Sequence, residues 1–288
     1  MKILAIAFCL VLIGNSGLAQ SRLDYFYITS AYTSFPDTGR SHGHVYDGVL
    51  YGTEDHYSDN RVLIIVPHHF HPADHADIIF WFHGWNNNID SAVVRYGLSR
   101  QFAESGVNAV LVLAETAKDA PDSYGGKLEQ PETFNRLVSD VLKKLRKERI
   151  LARHCPVGHV ILAGHSGAYR VMAGILEQGN VPVNEVILFD ALYAQTEKFL
   201  NWISADRDHC FINIFTDHGG TFDESKLMFN EIKNLNLSGN QIEETELSSK
   251  IPMGNKILFI HSQHAHNDII QHPDNFKLFL LASPFLVK

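Results

Sequence analysis

The run "VILAGHSGAYRVMAGIL", residues 160–176, begins as an apolar, β-branched strand and ends with apolar residues at helical spacing. Between the two halves lies Gly164-His165-Ser166-Gly167-Ala168. A serine at such a strand-to-helix turn is equipped for nucleophilic chemistry. The turn forces strained φ/ψ on the serine and presents its Oγ, and the glycines are needed where neighbouring backbone comes too close for a Cβ. The helix that starts next aims free backbone N–H groups at any oxyanion formed on Ser166. The pattern is that of a nucleophile elbow, G-x-S-x-G, with Ala168 as the mildest departure at its last position.

A second motif lies upstream, where "IIFWFHGW" ends a strand with His83-Gly84-Trp85. Taken together and in this order, the two motifs resemble the α/β-hydrolase family. The resemblance spans essentially all of the chain after its first 19 residues, and its specificity rests on the two motifs. It implies an oxyanion hole made by the backbone N–H groups of Trp85 and Gly167. It also implies a general base after the last strand, where "HSQHAHNDII" offers His261, His264 and His266. His261 is still within the strand, so the choice falls on His266, with His264 as the alternate.

The acid has two candidates. Asp217 follows the strand "FINIFT", the family's commoner position, but stands in a polar turn where aspartate needs no special reason. Asp190 ends "EVILFDALY", among apolar neighbours. A carboxylate there is costly unless a partner compensates it, and an imidazole that becomes imidazolium during turnover is such a partner. Asp190 is therefore preferred and Asp217 kept as the alternate.

These groups need a scaffold that brings strand ends together. Residues 24–67 read as antiparallel strands divided by turn residues. From residue 76 onward, apolar strands alternate with amphipathic segments: a helix over 89–104 with Val94, Leu98 and Phe102 on one stripe, and another from Pro131 with Phe134, Leu137, Val138, Val141 and Leu145 on one face. That alternation predicts an α/β fold: a mostly parallel central sheet covered by helices on both faces, extended by antiparallel N-terminal strands. Reactive groups in such a sheet collect beyond the carboxyl ends of the strands. Only a short segment separates Asp190 from the strand at Phe211, which leaves no room for a large cap. The expected site is fairly open, with aromatic walls from Trp81, Trp85, Tyr169 and Tyr193.

Composition agrees with one domain over residues 20–288, in a chain of 288 residues that is 45% hydrophobic. The first 19 residues, with Lys2, an apolar run from Ile3 to Ile13, and Gly17 and Ala19 before a cut, read as a secretory signal peptide, too short to span a bilayer. The expected location is periplasmic or extracellular. There are 24 basic against 32 acidic side chains, net −8, which argues against nucleic acid or an anionic membrane as the partner. Cys155 and Cys210 read either as a disulfide or as two separate thiols. The stretch "HHFHPADH" offers His68, His69, His71, Asp74 and His75 as metal ligands, but without helical spacing that would align two of them. The loop "SYGGKLEQPE", residues 123–132, offers Tyr124 and Lys127 near the site, and Gly125-Gly126 would make it mobile.

The sequence thus predicts a secreted serine hydrolase acting without a cofactor. Its substrate would be a small-molecule or polymeric ester or amide, cleaved through an acyl-enzyme on Ser166. The alternatives are a binding protein on the same fold and a metal-dependent hydrolase using residues 68–75.

Overall fold

Successive side chains of a β-strand point to opposite faces, and in the stretch Ala76–Phe82 every residue is apolar except Asp77. Ala76, Ile78, Phe80 and Phe82 enter one core and Ile79 and Trp81 the other. A strand of this kind is stable only with both faces covered. The computed structural model describes residues 22–72, 74–247 and 256–288, and in it this strand lies inside a nine-stranded sheet. The signal-peptide reading of residues 1–19 falls outside the described residues.

In chain order the strands are β1 (Leu23–Thr29), β2 (His44–Tyr46), β3 (Val49–Tyr51), β4 (Arg61–Pro67), β5 (Ala76–Phe82), β6 (Val110–Ala114), β7 (Val157–His165), β8 (Glu185–Phe189), β9 (Cys210–Thr216), β10 (Asn240–Glu243) and β11 (Ile257–Ser262). The large sheet has the order β1-β4-β6-β5-β7-β8-β9-β11-β10. Pairing is antiparallel for β1 with β4 and β4 with β6, and parallel across the rest.

The helices are α1 (Thr53–His56), α2 (Ile89–Arg95), α3 (Leu98–Ser105), α4 (Thr133–Lys147), α5 (Tyr169–Gln178), α6 (Thr196–Ala205), α7 (Phe222–Asn234) and α8 (Asn275–Ala282). Helices α4 to α7 bury their apolar faces in the first core, with Phe134, Met172, Phe199 and Met228 among the contacts. Helices α2, α3 and α8 cover the other face through Ile89, Phe102 and Phe279. A one-residue slip of β5 would exchange its two faces, which fixes its register.

Several expectations need correction. Residues 44–51 do not extend the sheet but form a separate hairpin, β2 with β3, whose Val45, Val49 and Leu50 are exposed. The expected helix over 89–104 is two helices. Gly97 stands between α2 and α3 in the left-handed region, φ 58°, and Val94 falls outside the buried stripe at 82% exposure. The polar stretch Asn240–Glu243 is an edge strand parallel to β11. Glu132 stands at the N-cap of α4, with φ 64°. Cys155 and Cys210 are two free, buried thiols, so the disulfide reading does not hold.

Candidate active site

Within the large sheet β7 is the fifth strand in chain order, and Ser166 is the first residue beyond it. Its φ is 55°, a region that costs a non-glycine residue of order 1–3 kcal/mol and persists only when the surroundings enforce it. The surroundings here are crowded. A Cβ at Gly164 would lie 2.7 Å from the Ala168 side chain, and one at Gly84 would lie 2.6 Å from Ser166 Cβ. The glycine after His83 is thus what lets the upstream loop reach the elbow. The same added Cβ would stand 3.1 Å from Gly167 N, so the Gly84-Trp85 segment borders the Gly167 amide.

His266 follows β11 and faces Ser166. Its Nε2 is 2.9 Å from Ser166 Oγ, and its Nδ1 is 2.6 Å from Asp190 Oδ2. Asp190 sits just past β8, fully buried, with φ 45°. It accepts hydrogen bonds from Thr216 N (3.1 Å), Thr216 Oγ1 (2.8 Å) and, more closely, Thr221 Oγ1. Burial by itself would raise the Asp190 pKa. The bonds from His266, Thr221 and Thr216, with the charge of His266, outweigh it and hold the carboxyl below its ordinary value. Gly219 closes this pocket, and a Cβ there would come within 1.7 Å of Asp190 Oδ2.

The alternates are engaged elsewhere. Asp217 is 2.9 Å from His261 Nε2, on the outside of β11, where Glu243 holds the other ring nitrogen at 2.9 Å. His264 Nε2 is exposed and 3.7 Å from Glu244.

Four buried groups support the constellation: two motif histidines and two partners that the motifs did not reveal. His83 is paired with Glu115 at 2.6 Å, and its Nδ1 donates to Gly84 O at 2.8 Å. Burial would lower the pKa of His83, but Glu115 overrides it and the pKa is raised. In a trans peptide the C=O and N–H point in opposite directions. A His83 that is held by Glu115 and fixes the Gly84 carbonyl therefore also fixes the direction of the Trp85 N–H. His165 lies behind the catalytic-type histidine: its Nε2–H donates to His266 O at 2.9 Å, and Tyr96 OH donates to its Nδ1 at 3.1 Å. Burial, then the nearness of His266, push the His165 pKa down to about 3, so it is a neutral ring. The signal for both pairs is a polar residue at a strand end flanked by apolar ones, visible in the sequence but without a partner assigned to it.

The walls differ in part from expectation. Tyr169 and Tyr193 meet with tilted rings at 5.9 Å, and Tyr193 lies 6.4 Å from the His266 ring. Burial, with Asp190 nearby, pushes the Tyr193 hydroxyl up to about 12, and it donates to Gly219 O. Trp85 covers Gly167, bonds Ser123 Oγ through Nε1 at 2.7 Å, and meets the Tyr46 ring of the hairpin at 5.1 Å. Trp81 is no wall. It points into the opposite core against Tyr96, Phe189 and Phe276, as strand alternation requires once Phe80 and Phe82 face the other way.

The loop 123–132 is tied down. Tyr124 OH bonds Asp37, Lys127 Nζ bonds Ala31 O, and Gly126 (φ 56°) packs where a Cβ would meet Ser34 O at 2.1 Å. Its glycines serve close packing rather than mobility. The histidines of 68–75 do not converge. His68 bonds Asp24 and His69 bonds Val107 O, while His75 turns to Asp77.

No family model matches the chain, and no curated protein is recognisably similar to it in sequence. Solved structures are similar in fold. S-formylglutathione hydrolase FrmB from Staphylococcus aureus aligns with TM-score 0.54 and 10% identity over 91% of this chain and 100% of its own. A ferulic acid esterase aligns with TM-score 0.53 and 9% identity, over 90% and 97%. The fluorophosphonate-binding serine hydrolase FphF from Staphylococcus aureus gives TM-score 0.50 and 11% identity, over 90% and 98%. The chain has the α/β-hydrolase fold that its two motifs resembled.

Proposed function

We propose that the protein is a serine hydrolase that cleaves carboxylic esters through an acyl-enzyme. The observation that carries this reading is the unbroken chain from Ser166 Oγ through both nitrogens of His266 to a buried, ionised Asp190. The fold likeness to an esterase and to serine hydrolases supports ester substrates as the class.

In this mechanism Ser166 Oγ bonds to the acyl carbon while its proton passes to His266 Nε2. The carbonyl oxygen becomes an oxyanion facing the N–H groups of Trp85 and Gly167. His266 then gives its proton to the departing alkoxide, leaving the acyl group on Ser166. Water, deprotonated by the same nitrogen, attacks the acyl carbon, and the collapse of the second tetrahedral adduct frees the carboxylic acid and restores Ser166. Asp190 accepts the Nδ1–H throughout, which keeps Nε2 in its proton-accepting tautomer and stabilises the imidazolium. The other site residues serve this path by position: His83 aims the Trp85 amide, and His165 anchors the His266 backbone.

A p-nitrophenyl ester tests the reading. An initial burst of about one nitrophenol per chain followed by slower turnover is the signature of acyl-enzyme accumulation. Turnover without Ser166 dependence would remove the proposal. The leader of residues 1–19 extends the proposal to export, with Gln20 as the first residue after cleavage; N-terminal sequencing of secreted material checks it.

A further inference from the structure

The sheet end opposite to Ser166 carries a second cluster of ligating side chains. Asp77 is the second residue of β5 and His159 the third of β7, and His75 immediately precedes β5. Six residues of β7 lie between His159 and Ser166, roughly 23 Å of strand, so this cluster is no part of the ester-cleaving site.

We propose that His75, Asp77 and His159 form a binding site for a divalent transition metal, with Zn2+ the ion that suits it best. His75 Nε2 is 3.4 Å and His159 Nδ1 3.1 Å from Asp77 Oδ1, and one ligand atom from each residue lies within 4.8 Å of the others. Ligand bonds of about 2.0–2.2 Å at tetrahedral angles put neighbouring donor atoms roughly 3.3 Å apart, close to the two separations that involve Asp77. Two imidazole nitrogens with one carboxylate oxygen select zinc and its borderline neighbours over calcium and magnesium, which prefer all-oxygen shells.

The backbone is shaped for this convergence. The β5–β7 ladder shifts register here: Ala76 pairs with Val157 but Ile78 with Val160, so β7 holds one extra residue opposite Asp77. Such a bulge re-aims a side chain, and here it sets His159 beside Asp77. Gly158 within the bulge makes room for the two side chains, since a Cβ would lie 2.0 Å from His75 Cδ2 and 2.5 Å from Asp77 Oδ1. The two imidazoles meet edge to face at 5.5 Å, and Phe285 packs on the His159 ring at 5.1 Å and fixes its plane. Asp77 is almost wholly buried, while both histidines are partly open, which gives an ion a path in. Asp77 Oδ1 already accepts from His159 N (2.8 Å), an outer-shell bond of the kind that orients a ligating carboxylate. The ion would clip the β4–β5 connection to the start of β7.

The test uses tag-free chain stripped with a chelator and titrated calorimetrically with ZnCl2, beside His75→Gln and His159→Gln. The expected result is one tight equivalent in the parent chain, weakened at least tenfold in each variant. Zinc at about 100 times its Kd should raise the parent Tm by roughly 5 °C and leave the variants unmoved. Should His159→Gln fail to fold, His75→Gln and the Co2+ complex decide: tetrahedral Co2+ absorption in the parent chain, lost in His75→Gln, is expected. No saturable binding, or binding that persists unchanged in His75→Gln, would overturn the assignment, the second by placing the ion among other histidines. None of these readouts depends on ester hydrolysis.

Discussion

His266 Nδ1 lies 2.6 Å from Asp190 Oδ2, and the carboxylate it meets is wholly buried and held by two threonines. A buried charge survives only when its partners are excellent, and removing one is far more damaging than never having built the pair. The pair therefore separates the two acid candidates by environment. Asp217 is 39% exposed in its side chain and serves His261, on the outer side of the strand.

Asp190→Asn keeps the shape but stabilises the wrong His266 tautomer, and kcat should fall by about 10⁴-fold. Asp217→Asn should leave kcat within about twofold and change stability by no more than about 1 kcal/mol, the worth of an exposed ion pair. Steady-state kinetics on the two variants, with urea unfolding, check both outcomes. The reverse ranking would reassign the acid.

Gly219→Ala places a methyl where Asp190 Oδ2 stands, 1.7 Å away on the unrelaxed backbone. The carboxylate or the turn must move. A displacement near 1 Å costs about 100-fold in rate when it misplaces a catalytic group. The expectation is a kcat loss of that size with KM little altered, measured on protein whose far-UV spectrum is unchanged.

His83→Gln and Glu115→Gln break the buried pair that fixes the Gly84 carbonyl. Loss of one well-aimed oxyanion donor costs roughly 10²–10³ in kcat. Both variants should approach that loss, with KM nearly constant and the pH profile of kcat/KM unmoved, because neither group exchanges a proton with substrate. A shifted profile would show that His83 acts as an acid or base instead.

Two buried groups give stability opposite pH slopes. His165, depressed to about 3 from 6.5, is neutral in the fold, so its contribution is complete above the unfolded value and is lost as pH falls from about 6.5 toward 3. Glu185, raised by burial to about 7 and bonded to Ser283, works the other way: its stability is complete below 4.5 and is lost as pH rises through 7. Glu185→Gln should therefore flatten the decline between pH 5 and 8, and His165→Gln the decline on the acid side. Urea midpoints from about pH 3 to pH 8, taken for each variant against the parent chain, measure the two slopes separately.

The elbow and the mostly parallel sheet were legible because a buried parallel sheet writes long apolar runs, and a tight strand-to-helix turn demands glycine. Asp190 was legible because a carboxylate among Phe189, Ala191 and Leu192 needs a reason. Other features carry weaker marks. Thr216 reaches Asp190 from the end of β9 and Thr221 only after the chain has turned between β9 and α7, and no local pattern announces either bond. Trp81 was misplaced because alternation fixes which residues share a face but not which face meets the site. The β2–β3 hairpin alternates like a sheet strand yet leaves its apolar residues in solvent, and β10 is a polar edge strand supported by one neighbour only.

The most direct test of the nucleophile is a fluorophosphonate probe on the parent chain and on Ser166→Ala, read by intact mass and by mapping the modified peptide. The account predicts one adduct per chain, located on Ser166, and no adduct in the variant. A folded parent chain that stays unlabelled, or a label carried by another residue, would contradict it.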